Sequence, residues 1–157
     1  KVLKAAAIAL LIASTASGWL TLAWWANDHA GLYTRQEIAA AEWIKQNTDP
    51  EAVWLTSDAQ NNIVQQLAGR KVVLGLHILA NSHGLDVTQT AKQVDAFYAA
   101  ADCSIAKKFG AGYAYVGPKE DMLKKANREA FRNNPRYEKI KELELHDGTA
   151  EVYRINC

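Results

Sequence analysis

The sequence has few of the residues that mark specialised protein classes. Of its 157 residues, only two are cysteine, three are proline and nine are glycine. This composition excludes disulfide-dense, collagen-like and low-complexity chains. Its 18 Lys and Arg residues nearly balance 17 Asp and Glu residues. The chain therefore lacks the positive excess typical of nucleic-acid-binding proteins, and we expect no nucleic-acid partner.

One long segment lacks charge altogether. Ala5 to Ala26 contains no charged residue, and Lys1, Lys4 and Asp28 flank it. About 20 apolar residues suffice to cross a bilayer core, so the segment predicts a transmembrane helix in contact with lipid. A signal peptide, with a small-residue cleavage site at 15–17, and a buried core helix are the alternatives.

The distribution of aromatic and basic residues predicts an orientation for this helix. Trp24 and Trp25, with Trp19 slightly deeper, lie where an interfacial aromatic belt is expected, and the lysines lie at the other end. The lysines favour a cytoplasmic N-terminus, which puts the residues after about Asn27 on the extracytoplasmic side of the cell membrane. The many Ala, Ser, Thr and Gly residues would allow close packing against other membrane helices of the same protein.

The only two cysteines, Cys103 and Cys157, lie in the part of the chain expected outside the cytoplasm. In an oxidising compartment they could form a disulfide that ties the C-terminus to a helix. Two buried free thiols are the alternative, because sequence does not give the distance between them.

The remainder of the chain alternates between helical and strand patterns. This order predicts an α/β fold, with a small parallel or mixed sheet, helices on both faces and a C-terminal antiparallel hairpin. We expect a transmembrane helix at 1–27 and one extracytoplasmic domain at 28–157. The predicted helices are 34–47, 57–68, 87–101, 103–109 and 119–133; the predicted strands are 52–56, 71–75, 113–118, 137–145 and 151–155; and 76–86 reads as a loop.

Motifs for independent catalysis are missing from the sequence. No glycine-rich turn follows the first predicted strand, and neither a P-loop nor a Gly-x-Ser-x-Gly elbow is present. His77, His83 and Asp86 lack the spacing of a typical metal site, and they are more typical of solvated loop residues. Ser82, His83 and Asp86 are too close in sequence for a catalytic triad. We therefore expect no catalytic residue, metal or cofactor in this chain.

Polar residues nevertheless follow each of the first three predicted strands. If these strands are parallel, the polar residues converge on one edge of the sheet, where α/β proteins bind ligands. Ser57 and Asp58 could instead only cap a helix. The candidates for contact with a glycan or a membrane domain are Asp58, Asn61, Asn62, His77, Ser82, His83, Asp86 and Glu120.

The order of several short motifs resembles a known family. From Leu32 to Cys157, the chain looks like the C-terminal extracytoplasmic domain of bacterial and archaeal GT-C type membrane glycosyltransferases. Many members have Glu-Arg where this chain has Glu120-Asp121. The motifs are Glu42–Thr48, Val53–Thr56, Asn61-Asn62, Leu67–Arg70, Leu74-Gly75, Ser82–Asp86 and Tyr113–Glu120.

The resemblance implies a role within a larger enzyme. Such proteins resemble protein mannosyltransferases and oligosaccharyltransferases, which take a sugar from a polyprenyl-phosphate carrier. Their acidic catalytic residue, and any divalent metal, belong to an earlier extracytoplasmic loop between membrane helices. This chain would then be a non-catalytic lid or acceptor platform that contacts a lipid-linked sugar or a glycan acceptor. An anchored binding or interaction module without an enzyme is the alternative, and we expect no independent hydrolase.

Overall fold

The computed structural model describes residues 2–27 and 32–157. The chain divides into two compact units, Lys1–Leu32 and Tyr33–Cys157. The sequence predicts a domain boundary after Asn27. Residues 28–31, among them Asp28 and His29, lie outside the described part of the chain.

The first unit contains a single described helix, α1 (Val2–Asn27). Its Lys4–Trp25 segment is long and apolar enough to span a membrane, and none of this segment is buried within the described structure. The helix is thus a candidate membrane span by length and composition. Hydroxyls of Ser14 and Thr15 donate to the carbonyl of Leu11, and Thr21 donates to that of Ser17. These local bonds satisfy polar groups that hydrocarbon would otherwise leave unpaired.

The second unit is built on a five-stranded mixed sheet, which confirms the predicted fold class. The strand order is β2-β1-β3-β5-β4. Strands β1, β2 and β3 are parallel, and β5 pairs antiparallel with both β3 and β4. The strands are β1 (Val53–Leu55), β2 (Lys71–Val72), β3 (Ala111–Val116), β4 (Tyr137–Leu145) and β5 (Gly148–Ile155).

Helices cover both faces of this sheet. One buried cluster contains Phe97 and Phe131 with sheet residue Tyr153, and the other contains Ile44 and Val64 with sheet residue Trp54. The helices are α2 (Arg35–Asn47), α3 (Ile63–Gln66), α4 (His77–Ser82), α5 (Thr88–Ala100), α6 (Cys103–Lys108), α7 (Pro118–Lys124) and α8 (Arg128–Arg132).

Several predicted segments were wrong in their boundaries or type. The strand expected at 113–118 is β3 (Ala111–Val116), and the strand expected at 151–155 begins at Gly148. The helix expected from Ser57 begins only at Ile63, and its N-cap is Asn62. The expected loop 76–86 contains α4, which has no buried residue and therefore shows no hydrophobic period. The single helix expected at 119–133 is two helices, separated at Lys125, whose left-handed backbone (φ 50°) ends α7.

Strand β2 is also shorter than the expected strand 71–75. Only Lys71 and Val72 belong to it, and it forms one edge of the sheet. Lys71 is exposed, and a lysine on an edge strand discourages pairing with the strand of another chain.

A disulfide joins Cys103, the first residue of α6, to Cys157 after β5. Their Cα atoms lie 5.6 Å apart, within the usual range for disulfides. The bond ties the C-terminus to a helix, as the sequence suggested.

Candidate functional site

The carboxyl ends of β1 and β3 are joined by the buried side chain of Glu120. Its Oε1 atom accepts hydrogen bonds from the Thr56 hydroxyl at 3.0 Å and the Ser57 amide at 2.8 Å. Its Oε2 atom accepts from the Gly117 amide at 3.0 Å. Burial raises the pKa of Glu120 despite these hydrogen bonds, which favour the carboxylate. Glu120 therefore closes the first turn of α7 and holds two strand ends together.

Asn62 extends this network towards α3. Its side-chain amide donates to Thr56 Oγ1 at 3.1 Å and to the Ser57 carbonyl at 2.7 Å. Its carbonyl oxygen accepts from the Val64 amide at 3.0 Å and caps α3. Since both ends of the side chain are bonded within the protein, Asn62 is positioned as a structural residue.

Asp58 lies between a lysine and a histidine. Lys124 Nζ is 2.7 Å from Asp58 Oδ1 and 3.0 Å from Asp95 Oδ1. His77 Nδ1 contacts the other carboxylate oxygen of Asp58. Burial alone would raise the pKa of Asp58, but the hydrogen bond and charge of Lys124 outweigh it and lower this pKa. Burial likewise would lower the pKa of Lys124, but Asp58 and Asp95 raise it.

These residues form what we call the rim cluster. It brings together four of the eight sequence candidates, and it also includes residues that the sequence prediction missed. Its members are Thr56, Ser57, Asp58, Asn62, His77, Asp95, Glu120 and Lys124.

Lys124 is the most informative residue that the prediction missed. It lies within the helix predicted at 119–133 and was not among the candidate site residues, yet only 6% of its side chain is exposed. Its spacing from Glu120 is i, i+4, which puts both side chains on one helical face. That spacing, together with the strand end just before α7, was the signal that could have found it.

Asn61 lies beside a small cleft next to the rim cluster. The backbone carbonyl of Asn61 accepts a hydrogen bond from Lys119 Nζ at 2.6 Å, and the same amine is 3.4 Å from Glu37 Oε1. The cleft is also lined by Tyr115 and Glu120, and its volume of about 20 Å³ is roughly the room for one water molecule. A sugar ring does not fit inside it.

The remaining candidates do not join the rim cluster. Ser82 donates its hydroxyl to the Leu79 carbonyl at 2.8 Å, and Asp86 accepts from the Thr88 amide at 3.0 Å. Both are local contacts at exposed positions. His83 lines a separate groove between α3 and α4. The expected convergence of 77–86 on the rim is therefore limited to His77.

Every charged side chain of the rim cluster has a partner: Lys124 and His77 pair with carboxylates, and Glu120 accepts hydrogen bonds from the ends of β1 and β3. Across residues 2–27 and 32–157, no group of three or more His, Cys, Asp or Glu side chains is arranged to hold a metal ion. The cluster can therefore fix the strand ends, α4 and α7 in place, while a half-exposed His77 ring remains at its surface.

A search of protein-family models finds no match to this chain, and no curated protein matches its sequence.

Proposed function

We propose that this chain is the extracytoplasmic C-terminal domain of a GT-C type membrane glycosyltransferase that uses a polyprenyl-phosphate-linked sugar. The domain acts as a non-catalytic lid or acceptor platform. The observation that carries the proposal is the set of hydrogen bonds within the rim cluster. Asn62 and Glu120, which belong to the motifs of the resemblance, are committed to hydrogen bonds with the ends of β1 and β3.

The N-terminal helix supports the membrane part of the proposal. Helix α1 is long and apolar enough to span a bilayer, and Lys1 and Lys4 favour a cytoplasmic N-terminus. The second unit then lies outside the cytoplasm, where a Cys103–Cys157 disulfide persists. In this arrangement the catalytic carboxylate, with any divalent metal, comes from the membrane-embedded part of the enzyme.

A transfer assay tests the proposal. Membranes that contain the complete transferase, with or without residues 33–157, are supplied with a radiolabelled polyprenyl-phosphate sugar, and transfer to acceptor is measured. We expect deletion to raise the KM for acceptor or to abolish transfer. Unchanged kinetics after deletion, or turnover by residues 33–157 alone, would contradict the proposal.

An anchored interaction module is the second candidate, and α4 favours it. Ile78 and Leu79 on this helix and the following Leu85 are 66%, 54% and 62% exposed. Exposed aliphatic side chains on a helix with no buried residue suit contact with a partner protein. Crosslinking from position 78 in native membranes separates the candidates, because the proposed function requires adducts within the same polypeptide.

A further inference from the structure

An open groove lies between α3 and α4, outside the rim cluster. Its volume is about 500 Å³, which is within the usual range for small-molecule sites. The side chains that define it are Gln65, Gln66, Leu76, Leu79, His83 and Leu85.

Two polar side chains in the groove are available to a ligand. The Gln65 amide and the His83 imidazole make no side-chain hydrogen bond to any residue in the described ranges, and both residues are exposed. Gln66 differs, because its amide is already bonded to Tyr33 and to the Gln60 carbonyl. The groove therefore offers a neutral amide and an imidazole, which together can donate and accept hydrogen bonds.

The other lining residues of the groove are mainly aliphatic and carry no formal charge. Leu76, Leu79 and Leu85 line it, and no Asp, Glu, Lys or Arg is among the lining residues. An anionic ligand would lack a cationic partner here, and a cationic ligand would lack a carboxylate. A purely aliphatic ligand would displace water from Gln65 and His83 without replacing its hydrogen bonds.

One wall of the groove is attached to the rim cluster, and the other has a close approach at Gly75. Helix α4 has no buried residue, but His77 at its first position contacts Asp58, which Lys124 holds in turn. On the other wall, the Gln65 side-chain amide lies close to Gly75: a Cβ atom at position 75 would be 3.0 Å from Gln65 Nε2. A glycine at this position thus leaves room for the amide.

We propose that the groove binds one or two sugar residues of a neutral glycan. A pyranose ring has an apolar C–H face that suits Leu76, Leu79 and Leu85, and it has hydroxyls that suit Gln65 and His83. This inference rests on the proposed function, and it names the glycan-contacting surface of the platform.

The experiment uses the full chain in phosphocholine nanodiscs, which carry no sugar headgroups. Mannobiose and chitobiose are titrated separately, and binding is followed by NMR of the Gln65 side-chain amide and the His83 ring. We expect saturable shifts at both groups with at least one disaccharide. Absence of such shifts with both probes, or saturable binding of a leucine-rich peptide in place of the sugars, would overturn the inference.

Substitutions of groove residues test whether the disaccharides bind in the groove. Leu79→Arg introduces a charge into the aliphatic wall and should weaken binding by about tenfold or more, which corresponds to about 1.4 kcal/mol. Gly75→Ala should displace the Gln65 amide and weaken binding several-fold. Gly112→Ala is the matched control, because its Cβ would lie 3.7 Å from Ala52 Cβ, an ordinary contact. Equal affinities for wild type and Leu79→Arg would refute the assignment.

Failure of this inference can be separated from failure of the proposed function. If the disaccharides do not bind but deletion of residues 33–157 impairs transfer, the groove assignment is wrong and the platform role stands. If they bind in the groove but deletion leaves transfer unchanged, the sugar site stands and its role in a transferase is wrong.

Discussion

Glu120 shows how one buried side chain can organise a rim. It is 1% exposed, and it accepts hydrogen bonds from a hydroxyl after β1, an amide after β1 and an amide after β3. Its position after a strand was predictable from the order of elements. Its pairing was not, because donors 63 or 64 positions away in sequence meet it only once β1 and β3 are neighbours.

Replacement of Glu120 by glutamine should destabilise the second unit. The new amide group would direct a donor at the backbone amides of Ser57 or Gly117, so at least one buried donor would lose its acceptor. We expect a loss of about 1–3 kcal/mol in the free energy of unfolding, measured by urea denaturation. Exposed Glu144 provides the control, since Glu144→Gln should change little. Equal stability of both variants would contradict the role given to Glu120.

Because of Asp58, the free energy of unfolding should decrease at acidic pH. Its pKa is lowered in the folded state, chiefly because Lys124 outweighs the effect of burial. A carboxyl with a lowered folded pKa contributes its stabilisation above the unfolded pKa, about 3.9, and loses it as pH falls through the folded pKa.

The prediction compares wild type with Asp58→Asn by urea unfolding at several pH values. The variant should be about 1–3 kcal/mol less stable near neutral pH, and the difference should shrink below about pH 3.9. Asp147→Asn is the control, because the exposed Asp147-Gly148 turn accepts Asn-Gly equally well. A difference for Asp58→Asn that stays constant down to pH 2 would rule out this linkage.

At the scale of elements, the sequence predicts structure best where the stabilising contacts join residues that are close together in the chain. A Thr34–Glu37 capping box begins α2, where the sequence predicts a helix from residue 34. The predicted C-terminal hairpin forms with its turn at His146-Asp147, although β5 begins at Gly148, three residues before the predicted strand 151–155. In these cases the stabilising partners lie within a few residues of each other, so sequence contains the whole interaction.

The sequence predicts less accurately the elements that are stabilised by residues far away in the chain. Helix α4 has no apolar face in the core, and His77 attaches it to Asp58. Ser57 looks like a helix cap, but its amide is bonded to Glu120 rather than to a helix of its own. Such tertiary contacts override local capping preferences, which explains why the helix starts at Ile63 instead, with Asn62 as its N-cap.

The disulfide is an element-scale link that can be measured directly. Non-reducing mass spectrometry should show two hydrogens fewer than the reduced chain, because Cys103 and Cys157 are joined. Removing the link with Cys103→Ala and Cys157→Ala together should cost about 2–4 kcal/mol of stability. Recovery of both free thiols from protein exported through an oxidising compartment would contradict the link.

At the scale of the molecule, the balanced composition conceals two unlike parts. One is an exposed apolar helix, and the other is a mixed α/β unit with helices on both faces of its sheet. The sequence shows the same contrast, because an uncharged stretch of this length differs strongly from the periodic segments that follow.

Membrane association tests the role of α1. After carbonate extraction, the full chain should remain with the membrane fraction. Replacing Leu11 and Ile12 with arginine should release it, since each arginine at the helix centre costs about 2.5–3.5 kcal/mol of insertion free energy. The matched Leu11→Ala and Ile12→Ala pair should stay membrane-bound. Full release of the wild-type chain by carbonate would exclude a spanning helix.

The most direct test of the transferase assignment is the nucleotide sequence upstream of the codon for Lys1. We expect an open reading frame that continues upstream through many further hydrophobic spans, with an acidic residue in the first external loop. A start codon immediately before Lys1 would contradict the assignment and leave an anchored interaction module as the better account.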